Sequence, residues 1–158
     1  MKAATVRQLK LELSNRSSAE LLELCLRLSK FKKETKVIIV DFHAEATAEK
    51  IAMSHFLDGK VSALIGTHTH IQTSDERILP EGTAFITDVG MTGPYDSVIG
   101  MKVLPALNRF LYQTPQKYET AKDSVHLCGL FIKVDGETGK TDEVERILFP
   151  DFVKKLTE

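Results

Sequence analysis

An α/β fold is what this sequence of 158 residues predicts. Three observations carry that reading. After Lys36, short apolar runs alternate with a helical stretch, the βαβ pattern of a largely parallel sheet. The runs Val37–Val40 and Ala63–Ile65 are continuous rather than alternating, as in strands covered on both faces. All nine glycines, five prolines and five histidines also follow Lys36, so turn and site chemistry are concentrated there.

Taken in chain order, residues 1–36 read as a basic helical segment distinct from 37–158. They hold nine Lys and Arg against four Asp and Glu, whereas the remainder holds twelve against eighteen. Ser17 and Glu20 have the spacing of a capping box. Behind them Leu21, Leu24, Cys25, Leu28 and Phe31 recur at helical period. Val6, Leu9 and Leu13 fit a helix, and Leu9, Leu11 and Leu13 fit a strand equally well. The leucine stripe suits packing against the rest of the chain or a partner helix.

In the second part, Val37–Val40 reads as a strand, Glu45–Leu57 as a helix closed by Asp58-Gly59, and Val61–Gly66 and Thr83–Thr87 as further strands. Lys102–Tyr112 reads as a helix with Pro105 in its first turn. Leu130–Val134 and Val144–Phe149 form a hairpin across the Gly-containing turn Asp135–Lys140.

Composition excludes several classes. Hydrophobic residues make up 42% and charged residues 27%, with a net charge of −1, which suits a globular domain and gives no field for a nucleic-acid duplex or an anionic membrane. No apolar run is long enough to span a bilayer, and Met1–Lys10 lacks the apolar core of a secretory signal. Cys25 and Cys128 are isolated, which suits a reducing, cytoplasmic compartment. No serine sits in a nucleophile elbow, and neither a Walker A nor a GxGxxG pattern occurs.

The histidines carry the chemistry. His43 follows the first strand, and His68 and His70 follow the second, at the carboxyl edge where open parallel sheets bind ligands. A His-x-His in extended backbone directs both rings to one side. Imidazole is a common ligand of Zn, Fe and similar ions, so the trio reads as a metal site or as hydrogen-bonded structural histidines. Three ligands leave an open position, or form half of a larger site. His55 and His126 sit in no such pattern and read as structural. Asp41, Glu45 and Asp88 are the neighbouring acids, each with a turn or capping role as the plainer reading. The loop after Asp88, with Gly90 and Gly93, lets backbone approach a ligand closely or simply turns the chain.

Three stretches, Val40–Lys50 (VDFHAEATAEK), Gly66–Thr73 (GTHTHIQT) and Thr87–Gly100, closely resemble the YmdB-like metallophosphoesterases of bacteria. The resemblance runs from about Val37 to about Phe149, with the motifs in family order. It implies the C-terminal half of a calcineurin-like α/β sandwich that hydrolyses phosphodiesters, with 2′,3′-cyclic nucleotides as substrates and iron or manganese in a dinuclear site. Carried over residue by residue, His43 matches an isolated histidine ligand, and His68 and His70 match a terminal His-x-His pair. By that pattern His43 and His68 hold one metal and His70 the other. Glu45, Thr69, Asp88, Gly90 and Thr92 lie in the matched motifs as substrate or loop candidates.

The family's N-terminal Gly-Asp, Gly-Glu-Asn and Gly-Asn-His motifs do not occur in residues 1–36. The expectation is therefore a chain holding about half the site, paired with itself or with a complementing N-terminal half. A non-catalytic metal-binding or assembly remnant is the alternative.

Overall fold

The computed structural model describes residues 35–152. The helix expected over residues 17–33, its Ser17 cap, the leucine stripe and Cys25 lie outside them. Within them, β1 (Ile39–His43), α1 (Thr47–Leu57) and β2 (Ala63–Thr67) form the first unit. β3 (Arg77–Ile78), β4 (Ala84–Ile86), β5 (Gly93–Pro94), α2 (Val103–Tyr112), β6 (Val125–Val134) and β7 (Thr141–Phe149) follow. The expected α/β class is the one observed.

One sheet has the order β1-β2-β4-β3, with β1, β2 and β4 parallel and β3 antiparallel to β4. Parallel neighbours need a crossover, and α1 supplies the one between β1 and β2. Phe42, Leu57, Val61, Leu64, Leu79 and Phe85 form the core, which Ile38, Val40, Ile51 and Phe56 flank. The end of α1 is tied to the entrance of β4. Asp58 accepts the amides of Glu81 and Thr83, at 3.0 and 3.3 Å, and Thr83 Oγ1 donates to Val61 O at 2.7 Å.

Two expectations are corrected here. β1 begins at Ile39 rather than Val37, and it is not covered on both faces: Ile39 is 56% exposed. Among the described residues β1 pairs with β2 alone. The strands β3 and β5 were not anticipated, because two residues are too few to show a period.

The second sheet, β5-β6-β7, is antiparallel. Its hairpin turn is closed by Asp135, whose carboxylate accepts the amides of Glu137 and Thr138, at 2.7 and 3.3 Å, and is held below the ordinary carboxylate range by them. Polar groups join the sheets. Gln72 Nε2 reaches Gly129 O and Ile147 O at 3.1 and 3.0 Å, and Thr141 Oγ1 donates to Ser62 O at 2.7 Å.

Candidate functional site

Two imidazoles meet where β1 and β2 end. His43 is the last residue of β1 and stands in register with Thr67, the last of β2. Asp41 lies two residues back, on the same face. Thr67 Oγ1 donates to Asp41 Oδ1 at 3.1 Å and therefore accepts from His43 Nδ1, also at 3.1 Å. That chain places the His43 proton on Nδ1 and leaves the Nε2 lone pair free to accept. His68 Nδ1 approaches it at 3.2 Å, with the rings edge to face and their centroids 5.0 Å apart.

The loop that presents His68 is not extended. His68 has φ +139° and His70 φ +67°, a region that L side chains rarely adopt. This corrects the expectation that both rings share a side by strand alternation. The reason is non-local: Asp88 Oδ2 accepts the Thr69 amide at 2.8 Å, between the two histidines, and bends the segment. His70 is tied instead through its carbonyl, which accepts from Met91 N at 3.1 Å.

Asp88 is the hub of this loop. It is 1% exposed, its Oδ1 accepts Gly90 N at 3.0 Å, and its Oδ2 lies 3.4 Å from Lys50 Nζ. Lys50 is itself fully buried and also donates to Thr67 O at 3.2 Å. Asp75 steadies the other side of Asp88, accepting from Thr73 Oγ1, Thr87 Oγ1 and Thr87 N. Burial would raise the Asp75 pKa, but these hydrogen bonds outweigh it and hold the carboxyl below its ordinary value.

The remaining candidates divide. Thr69 Oγ1 closes a local turn with Ile71, and Glu45 is exposed just past β1. Gly90 has φ +82°, and a Cβ there would stand 2.8 Å from Gln72, so its role is close backbone packing. Thr92 is bonded to the backbone of Cys128 on β6. His126 is buried, its ring nitrogens on Pro150 O and Ser124 Oγ, and serves the fold.

The donors half-fit a metal. Two nitrogens 3.2 Å apart can share one ion at about 2.1 Å each, so His43 Nε2 and His68 Nδ1 suit adjacent ligand positions. Ligation by both places the His68 proton on Nε2 instead. Among the described residues, no group of three or more His, Cys, Asp or Glu is gathered closely enough to hold an ion, and His70 does not join the pair.

Comparison with known proteins decides the family. The family model for YmdB-like proteins matches residues 14–147. The chain belongs to the YmdB-like family. A member from Bacillus subtilis (strain 168), named 2′,3′-cyclic-nucleotide 2′-phosphodiesterase, is 50% identical over 119 residues, which are 75% of this chain and 45% of that protein. A solved structure described as a novel phosphatase, from Mycoplasma pneumoniae, superposes with a TM-score of 0.74 at 41% identity, over 83% of this chain and 45% of that one. A hypothetical protein from Thermus thermophilus gives 0.68 at 35% identity, over 90% and 49%. The chain thus spans about half the length of the YmdB-like relatives it matches.

Sequence reasoning missed Lys50, Thr67 and Asp75. For Lys50 a signal existed: with Ser54 and Leu57 it forms the buried stripe of α1, at spacings of four and three, so a charge sits on a core position of this YmdB-like helix.

Proposed function

We propose that this chain supplies the histidine side of a metal-dependent phosphodiesterase centre acting on nucleotide phosphodiesters such as 2′,3′-cyclic nucleotides, in the cytoplasm. The observation that carries the reading is the 3.2 Å approach of His43 Nε2 to His68 Nδ1, in a chain 50% identical to a cyclic-nucleotide phosphodiesterase. His43 and His68 hold one divalent ion, iron or manganese, and His70 belongs to a second position. When bound, such ions polarise the phosphoryl oxygens and lower the pKa of the attacking water. The residues of the chain orient the ligands. Asp41 and Thr67 fix the His43 tautomer and keep Nε2 aimed outward. The Asp88 loop sets the angle of His68.

The ligand set is completed by a complementing N-terminal half, so the chain alone turns over little substrate. The test is hydrolysis of 2′,3′-cyclic AMP with manganese, by the chain alone and mixed with the N-terminal half of the Bacillus subtilis relative. Turnover that needs both polypeptides and is lost in His68→Ala supports the reading. Equal turnover by the chain alone contradicts the missing half, and none in the mixture contradicts the enzyme.

A second reading is a non-catalytic assembly module, which pairs with itself or with another chain. The observation favouring it is the apolar surface on β1 and on β6 and β7, where Ile39, Leu127 and Phe149 are all at least half exposed.

A further inference from the structure

We propose that the buried Lys50–Asp88 pair is the positioning element of the His68-Thr69-His70 loop, setting the ring geometry of the histidine pair without touching a ligand. The inference rests on the histidine reading above and adds two residues to it. The lysine side chain leaves α1 on the core stripe and crosses β2 at Gly66, where a Cβ would stand 2.9 Å from Lys50 Cδ and 1.8 Å from Thr87 O. Only a glycine leaves room for that passage.

At its end the ammonium donates to Thr67 O and to Asp88 Oδ2, so one cation bridges the carbonyl before His68 and the carboxylate behind it. Asp88 then spends both oxygens on backbone amides, Thr69 on one side and Gly90 on the other. The left-handed backbone at His68 and His70 is costly for side-chain-bearing residues and persists where surrounding bonds over-determine it. Here they do: Thr67 O, Thr69 N and His70 O are each fixed, by Lys50, Asp88 and Met91 N respectively. Losing one member of a buried charge pair is costly, but replacing both by apolar groups of like shape is often neutral, so the pair is weak evidence of a purely stabilising role. Its usefulness here lies in two fixed backbone atoms, Thr67 O and Thr69 N, on either side of His68.

The experiment reads the ring nitrogens of His43 and His68 by nitrogen-15 NMR in the metal-free full chain, so it does not depend on metal binding or activity. Lys50→Met/Asp88→Leu removes both charges together and leaves no unpaired ion. Asp88→Asn keeps the side-chain shape, but it removes the charge facing Lys50 and turns an amide donor toward Thr69 N or Gly90 N. Thr141→Val, which loses a buried hydrogen bond away from the loop, controls for general loosening.

The expected result is that both Asp88 variants lose the hydrogen-bonded signature of the His43–His68 rings while Thr141→Val keeps it. In parallel, zinc affinity measured by calorimetry falls about 10–100-fold in the Asp88 variants alone. Unchanged ring signals in folded Asp88 variants overturn the proposal, as does equal loss in Thr141→Val. Unfolding of both Asp88 variants overturns it too, since the pair then serves the fold and not the loop. Absence of zinc binding in every form, the parent chain included, counts against the metal reading alone, and the variants' ring spectra then decide the pair.

Discussion

The two sheets of this chain use their polar groups in opposite ways. The β1-β2-β4 sheet buries Lys50, Asp88 and Thr83 completely or nearly so and gives each several partners. The β6–β7 sheet leaves Leu127, Phe131 and Phe149 in solvent on one face. Its inner face is held by Thr92 on Cys128 and by Tyr95, whose hydroxyl lies 3.0 Å from Cys128 Sγ. Burial, with help from that thiol, pushes Tyr95 up to about 12, so it stays protonated throughout the neutral range. Buried polar bonding is therefore concentrated behind the histidines, while exposed apolar side chains lie on β6 and β7 as well as at Ile39.

That contrast is breakable, and the largest effect belongs to Gly66. Gly66→Ala forces β2 away from Thr87 and the lysine stem, and is expected to cost about 4 kcal/mol or more, enough to abolish cooperative urea unfolding. Next comes Lys50→Met, which strands the Asp88 carboxylate in the core and costs about 3–5 kcal/mol. Adding Asp88→Leu to it recovers most of that loss by denaturant titration.

Asp75→Asn has a smaller effect, read as a pH dependence. The native Asp75 pKa lies below its unfolded value of 3.8, so its stabilisation is complete above that pH and is lost as pH falls through the native value. The variant is expected to be less stable at neutral pH and to show a flatter acid limb in thermal melts between pH 5 and about 2. Smallest of all is Phe149→Ser on the opposite sheet. With that ring 70% exposed, the unfolding free energy from denaturant titration is expected to change by no more than about 0.5 kcal/mol. A large loss there would mean that the face is covered in the folded chain.

Much of the histidine region was legible because strand ends announce themselves. The apolar runs stop at Val40 and at Ile65, shortly before His43 and His68, and parallel strands bring their ends together. Loop conformation was not legible, because the bend at Thr69 is imposed by Asp88, nineteen residues away, and not by the His-x-His spacing. Lys50 escaped notice for a related reason: a lysine in a helix reads as solvated until the stripe with Ser54 and Leu57 is set against an acid at the end of β4. In the second sheet, β6 begins at Val125 rather than Leu130, since its alternation is masked by apolar residues on the exposed face. The helix at 103–112 was anticipated almost to the residue.

Metal content tests the histidine centre most directly. Elemental analysis of the purified chain, loaded with manganese or iron and freed of loose metal, is expected to find about one ion per chain, lost in both His43→Ala and His68→Ala while His55→Ala retains it. No ion in the parent chain, or an equal content in all four proteins, would contradict the claim that these two imidazoles form half of a metal centre.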